Sequence, residues 1–387
     1  MAVYILGGAR TAFGSFMGSL STVSAPKLGA TAIEGALQKA NIEKSQVDEV
    51  FMGNVLTAGV GQAPARQALL FAGLPESVPA TTVGKVCGSG LQSIILGARS
   101  ILTGDNQVVV AGGMESMSLA PHVLMNSRSG AKFGPTEMKD SMQWDGLWDV
   151  YTNRAMGNCA EECTKKYQMS REEQDAYAKE SFTRAQASVK EGAFKDEIVA
   201  VKIPGKKGDV EVTEDEGPFK ANFEKMGGLK PAFEKDGTIT AANASTINDG
   251  AAALVLGGDE FANKAEFKIL GWASHAQNPT WFTTAPTEAM NKALKKAGLT
   301  ADQIDLFEIN EAFAAVTMAG MKDLNIPHNK VNVLGGAVAL GHPIGASGTR
   351  IVVTLMNAMK RRKAKYGCAA ICIGGGEALS LIIEKVR

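Results

Sequence analysis

Apolar residues fall at two spacings along this chain, and both recur in the same order in two places. Leu91, Ile94, Ile95, Ala98, Ile101 and Leu102 follow the i, i+3, i+4, i+7 rule of a helix with one wide buried face. Short continuous runs, Val3 to Leu6, Val108 to Ala111 and Leu306 to Ile309, read as buried strands. Asp249 to Leu256 reads as a strand or a helix, since periodicity alone does not separate the two in so short a run. Ser170-Arg171-Glu172-Glu173 is a capping box opening a charged helix that runs to about Glu191 and stops at Gly192.

The recurrence is an internal repeat. Tyr4-Ile5-Leu6-Gly7 returns as Lys268-Ile269-Leu270-Gly271, and Ala36 to Asp48 returns as Ala293 to Asp305. Gly88-Ser89-Gly90 and its helix return as Ala346-Ser347-Gly348 and the helix through Ile351, Val352, Leu355 and Met359; Val108 to Gly113 then matches Ala370 to Gly375. Each copy reads strand, helix, strand, helix, strand, which predicts an α/β fold: a duplicated βαβαβ unit with a mostly parallel, helix-covered sheet and two pseudo-twofold-related halves. Residues 119–247 have no counterpart, so they form an inserted loop domain. The division is residues 1–118 with 248–268, then 119–247, then 269–387. Within the insertion, Asp209 to Gly217 is acidic and turn-rich and reads as a solvated loop.

Composition narrows the function. Lys plus Arg and Asp plus Glu are 40 each, so no overall field attracts nucleic acid or an anionic membrane. The 387 residues are 45% hydrophobic, enough for several cores, yet no apolar run approaches the ~20 residues of a membrane span. Met1 to Gly8 reads as a strand rather than an export signal. Five cysteines, an odd number, point to free thiols and a reducing, cytoplasmic setting. Cys159 and Cys163 stand at i and i+4 without the further ligands that a closed metal site requires, so no metal is expected.

Four glycine-rich segments carry the reactive side chains: Cys87-Gly88-Ser89, Asn310-Glu311-Ala312-Phe313, Gly341-His342-Pro343 and Cys372-Ile373-Gly374. Taken alone, Cys87 reads more readily as a small buried residue at a turn, because inert buried cysteines are common. At the amino end of a helix, unpaired N–H groups and the helix dipole favour its thiolate, the attacking form. His342 precedes the helix equivalent to the one behind Cys87, so the pseudo-twofold axis brings both turns to one site, where a cysteine with a base beside it suits covalent acyl transfer. Cys372 is either core filler or a general acid and base opposite the nucleophile. Asn310 offers an amide for a water or an oxyanion.

In this order, the four segments resemble the thiolase family over essentially the whole chain. The resemblance implies reversible Claisen chemistry on acyl-CoA molecules, in the short-chain form joining two acetyl-CoA. It assigns Cys87 as the acylated nucleophile, His342 as its activator, Cys372 as the acid and base at the substrate α-carbon, and Asn310 as holder of a water that forms an oxyanion hole with His342. A second hole uses backbone N–H groups of Cys87 and Gly374. The insertion resembles the family's coenzyme A-covering domain, with Ser245 on the pantetheine arm and Leu147, Met156, Phe233, Ala244, Ile247, Ala312 and Phe313 lining its tunnel. Lys220 matches loosely a phosphate contact. Coenzyme A is then substrate and product, with no permanent cofactor, and dimers paired into tetramers are the implied assembly.

Two departures bear on the acyl pocket: Ala155 precedes Met156-Gly157 where a histidine is usual, and Phe282 stands where many relatives have methionine. The rival readings are a broader-chain degradative thiolase, a β-ketoacyl-carrier-protein synthase, against which Cys372 and Asn310 to Phe313 argue, and a non-catalytic nucleotide- or lipid-binding module, which needs no reactive thiol.

Overall fold

The computed structural model describes residues 1–205 and 208–387. Its centre is an 11-stranded sheet. The main strands are β1 (Val3–Thr11), β2 (Glu49–Gly53), β3 (Ala80–Val83), β4 (Val108–Ser116), β5 (Asn248–Gly257), β6 (Phe267–Ala276), β7 (Leu306–Ile309), β8 (Tyr366–Ile373) and β9 (Glu377–Lys385). They lie in the order β7-β8-β9-β6-β1-β5-β4-β2-β3, with Gly14–Ser15 and Ile198–Val199 pairing alongside β5 and β1.

That order is symmetric about the β1/β6 pair. Outward from it run β1-β5-β4-β2 on one side and β6-β9-β8-β7 on the other. At the axis, Tyr4 stands opposite Lys268. The repeated tetrapeptide is one β-bulge used twice: register slips between Ile5 and Gly7 against β5, and between Ile269 and Gly271 against β9. Because β6 begins at Phe267, the two halves join within 258–266 rather than at 268/269.

The expectation of a mostly parallel sheet needs correction. Among the main strands, parallel pairing is confined to the rims, β2 with β3 and β4, and β7 with β8; the short Ile198–Val199 strand also runs parallel to the end of β1. The central pairs are antiparallel. The cause is an extra strand in each half. In the second half β8 turns through Gly374-Gly375-Gly376 into β9, with Gly375 and Gly376 at φ 91° and 86°, the left-handed region open to glycine. In the first half the same connection, β4 to β5, holds the insertion. The inserted domain and the Gly374 turn thus emerge at equivalent positions.

The longer helices are α1 (Ala25–Ala40), α2 (Ser89–Thr103), α3 (Met156–Tyr167), α4 (Arg171–Lys190), α5 (Ala285–Ala297), α6 (Ala314–Asp323) and α7 (Ile344–Arg362). α2 buries Leu91, Ile94, Ile95, Ala98 and Ile101, while Leu102 turns to solvent. Its pseudo-equivalent α7 is buried on every face as far as Met359. The two cross where no side chain fits. A Cβ on Gly348 would overlap the Leu91 backbone nitrogen, and one on Gly90 would come to 2.7 Å from Thr349 Oγ1.

In the insertion, α4 opens on the Ser170/Glu173 capping box and ends before Gly192 at φ 68°. The stretch 209–217 is a solvated loop only in part. Val210–Val212 pairs with Val201–Ile203, and Asp215 is buried against Arg10 through two hydrogen bonds of 2.7 and 2.8 Å. Glu216 accepts from the Ser15 and Ser19 N–H groups at 2.7 and 2.9 Å. These carboxylates neutralise a buried guanidinium and satisfy loop donors, which favours their burial. Among the described residues, no helix is long and apolar enough to cross a membrane.

Candidate active site

The strand β3 ends at Val83, and a single 3₁₀ turn, Val86–Gly88, carries Cys87 ahead of α2. Cys87 therefore precedes the helix rather than opening it. Val86 is held at φ 44°, a left-handed conformation costly for a β-branched residue and typical of functional turns. Ser89 holds the turn: its Oγ accepts from Lys85 N–H at 2.8 Å and donates to Val86 O at 2.7 Å. The N–H groups of Gly374 and of Cys87 itself are directed at the Cys87 sulfur. Burial nevertheless outweighs them and pushes the thiol up to about 11. The pull of the helix start toward thiolate is thus opposed by desolvation of the charge, which exceeds what two N–H donors return.

His342 follows Gly341, whose φ of 105° and contact with the Asn248 amide leave no room for a side chain. Its N–H bonds to Asn248 Oδ1 at 3.1 Å and Thr246 O at 3.2 Å. The ring Nδ1 lies 2.6 Å from Ser347 Oγ, and Nε2 has no hydrogen-bond partner among the described residues. Burial, with the Arg350 charge adding to it, lowers the imidazole to about 3, so it rests neutral.

Asn310 leaves the end of β7, where its N–H bonds Ala370 O at 2.9 Å. The Arg350 guanidinium donates to Asn310 Oδ1 at 3.4 Å, which leaves Nδ2 without a hydrogen-bond partner among the described residues. A buried amide N–H of this kind suits a bound water or an oxyanion. Its neighbour Glu311, passed over by the sequence reading, accepts from Tyr177 Oη, Ser181 Oγ, Asn332 Nδ2 and Val338 N at 2.7–3.0 Å. That carboxylate ties α4 of the insertion to the segment bearing Asn310. Cys372, near the end of β8, is buried with Phe282, Ala312, Phe313 and Val316, and burial together with Cys87 holds its thiol well above the ordinary range.

Cys87, His342 and Gly374 open onto one largely apolar cavity of about 290 Å³. Leu147, Met156, Phe233, Ala244, Ser245, Ile247, Phe282, Ala312 and Phe313 all line it. Phe233 and Phe282 meet Phe313 edge-on at 5.9 and 6.4 Å between centroids, and the Phe233 ring covers Gly157, where a Cβ would overlap it. Ala244 bridges to Phe313 and Ser245 N–H bonds Ala312 O at 3.0 Å, so the end of the insertion is stitched to the Asn310 segment. Cys372 and Asn310 do not themselves line it, although Cys372 is close enough to Cys87 for the two thiols to influence each other. Met117, Gln143, Gly146 and Thr246 also line the cavity and went unnoticed in the sequence, where nothing in spacing marks them.

Lys220 is not in this cavity. It lines a neighbouring one of about 330 Å³ with Lys225 and Ala242, and lies 3.6 Å from Glu216. Thr246 lines both cavities.

Comparison with known proteins shows the family. Residues 3–260 match the family model described as Thiolase, N-terminal domain, and residues 263–385 match Thiolase, C-terminal domain. An acetyl-CoA acetyltransferase of Yarrowia lipolytica is 53% identical over 100% of this chain and 97% of its own length. A cytosolic acetyl-CoA acetyltransferase of Gibberella zeae is 51% identical, covering 100% and 98%, and a mitochondrial one of Aspergillus fumigatus is 49% identical, covering 99% and 90%. The crystal structure of an Ascaris suum thiolase in complex with coenzyme A superposes with a TM-score of 0.95 at 44% identity, covering 100% of both chains. With both family models filling the chain and half its residues shared with full-length relatives, this protein belongs to the thiolase family.

Proposed function

We infer that the protein is an acetyl-CoA C-acetyltransferase that joins two acetyl-CoA into acetoacetyl-CoA and free coenzyme A, reversibly, through acetyl-Cys87. The observation carrying this reading is the single apolar cavity onto which Cys87, His342 and Gly374 open. Full-length relatives at about half identity that are named acetyl-CoA acetyltransferases disfavour a carrier-protein synthase.

In the first half-reaction, the Cys87 sulfur attacks the thioester carbonyl while His342 Nε2 takes its proton. The carbonyl oxygen is held by the N–H groups of Cys87 and Gly374. Coenzyme A leaves with the proton of Cys372, so the site then holds acetyl-Cys87, imidazolium and the Cys372 thiolate. In the second half-reaction, the Cys372 thiolate takes an α-proton from the next acetyl-CoA, and imidazolium with the Asn310-held water stabilises the enolate oxygen. The enolate carbon attacks acetyl-Cys87, the Cys87 thiolate leaves, and His342 returns its proton. Every group ends as it began.

The eight cavity-lining residues assigned to the pantetheine arm, with Phe282 beside them, give a narrow apolar channel suited to it. The adjoining cavity, with Lys220 and Lys225, is the nearest basic ground for phosphates. Coenzyme A is substrate and product, and no permanently bound cofactor enters the scheme. Exposed Phe133, Met125 and Met138 in the insertion support a homo-oligomer, dimers paired into tetramers, with this loop as one contact. Free cysteines support a reducing, cytoplasmic setting, although relatives carry both cytosolic and mitochondrial names.

The test is turnover of acetyl-CoA alone, followed by thiolysis of 3-ketoacyl-CoAs of increasing length. Release of acetoacetyl-CoA with activity falling beyond the shortest substrate supports the reading. Activity only on long chains, or only on carrier-bound acyl groups, overturns it.

A further inference from the structure

We propose that Ser347 is a positioning residue that fixes the tautomer of His342, placing the ring proton on Nδ1 and leaving Nε2 bare to receive the proton of Cys87. This rests on the reading of His342 as the base.

The hydroxyl of Ser347 has one proton, and two acceptors stand near it. Pro343 O lies 2.9 Å away, one helical turn back, and can only accept. His342 Nδ1 lies at 2.6 Å and either donates or accepts. With the hydroxyl proton on Pro343 O, a Ser347 lone pair receives Nδ1–H and both bonds are made. In the opposite arrangement the ring proton moves to Nε2, which has no hydrogen-bond partner among the described residues. A buried N–H with no acceptor is the more costly and the rarer of the two outcomes.

The duplication supports the assignment. Ser89, the counterpart of Ser347, also donates backward to a backbone carbonyl, Val86 O at 2.7 Å, three residues back where Ser347 reaches four, and its lone pair accepts Lys85 N–H at 2.8 Å. In the second half, the lone pair that in the first half only holds a turn receives the His342 ring instead. The orienting group is neutral. The other charge bearing on the ring is Arg350, which disfavours imidazolium, so Ser347 sets the direction of the base without raising its basicity.

The experiment is nitrogen NMR on enzyme with labelled histidine. There are four histidines, and loss of one resonance set in His342→Asn assigns the ring. The wild type is expected to show His342 neutral with the proton on Nδ1. Ser347→Ala should shift it toward Nε2–H and lower kcat on the order of 10–100-fold, the scale of outer-shell orienting partners. KM for acetyl-CoA should change little, since Ser347 does not line the cavity. Partial recovery in Ser347→Thr, which restores the hydroxyl, is the further expectation. A wild-type ring carrying its proton on Nε2 overturns the proposal even if Ser347→Ala does not fold, as does Ser347→Ala with unchanged tautomer and kcat. Full turnover in His342→Ala would instead refute the base assignment, which separates the two failures.

Discussion

Gly374 directs its backbone N–H at the sulfur of Cys87, so the end of β8 in one half of the duplication serves the nucleophile turn of the other. Cys87 and Gly374 both line the cavity, whereas Cys372 is buried among Phe282, Ala312, Phe313 and Val316 and does not. Incubation with acetyl-CoA should therefore add an acetyl group to the peptide containing Val86-Cys87-Gly88, and Cys87→Ala should abolish it. Cys372→Ala should still be acetylated on Cys87 while losing acetoacetyl-CoA formation and α-proton exchange. Mass spectrometry showing acetylation chiefly on Cys372 would reverse the two roles.

The free enzyme should be a slow thiolate source. Cys87 holds its proton up to about 11, above the usual thiol range, because burial disfavours the anion. Only the thiolate reacts with iodoacetamide, so below that pH its population, and the alkylation rate, rise by about tenfold per pH unit. Labelling of Cys87 should climb from pH 7 through pH 10 without a plateau. A plateau near pH 8 would mean that the thiol is activated before substrate arrives.

Much of this was legible in the sequence, and the parts that were not share a cause. Tyr4 to Gly7 and Lys268 to Gly271 announced the duplication because a bulge needs the same residues wherever it is used. Strand direction was not readable: the alternation of side chains in β5 and β9 is the same in either orientation. Asp215 and Glu216 looked like solvated acids because their partners, Arg10, Ser15 and Ser19, lie about 200 positions away in sequence. The helix start behind Cys87 argued for a thiolate, and burial, which spacing does not encode, works against it. Ser347 carried a usable signal, its equivalence to Ser89, whereas Glu311 carried none beyond its place next to Asn310.

The crossing of α2 and α7 sets the distance between the Cys87 and His342 turns, which gives a stability prediction with a functional signature. In Gly348→Ala the new methyl meets the Leu91 backbone, which cannot rotate away. Overpacking of this kind costs about 1–3 kcal/mol, measurable as a lowered urea midpoint. Separation of the helices should also reduce kcat at temperatures where the variant is fully folded. Gly227→Ala, with open space at its Cβ position and ordinary φ, is the control and should change neither.

Asp215 anchors the insertion to the first strand of the sheet. Its carboxylate meets Arg10, itself fully buried, and also accepts Phe13 N–H at 2.8 Å. Asp215→Ala leaves the guanidinium with Glu197 as its remaining carboxylate partner. Removing one member of a buried ion pair costs about 3–5 kcal/mol, because the other charge stays desolvated. Equilibrium unfolding should show a loss of that order. A change below about 1 kcal/mol would mean that water reaches Arg10 once the carboxylate is gone.

His342→Ala should remove two effects at once. In the proposed scheme its Nε2, as the neutral base, receives the Cys87 proton, help that typically contributes about 10²–10⁴ in rate. As imidazolium in the second half-reaction it donates to the enolate oxygen, and loss of one such donor costs about 10²–10³. The two do not add, since groups acting as a unit are strongly non-additive, so a fall of at least ~10² in kcat is expected rather than the product. The resting imidazole is neutral, held down to about 3 by burial, so it already lacks a proton at pH 7. Its removal should therefore leave the pH dependence of Cys87 alkylation in the free enzyme almost unchanged, while acetyl transfer from acetyl-CoA collapses. If alkylation instead shifts to higher pH in His342→Ala, the two side chains share an ion pair before substrate binds, and the neutral resting pair described here is wrong. Near-normal acetyl transfer in that variant would remove His342 from both half-reactions.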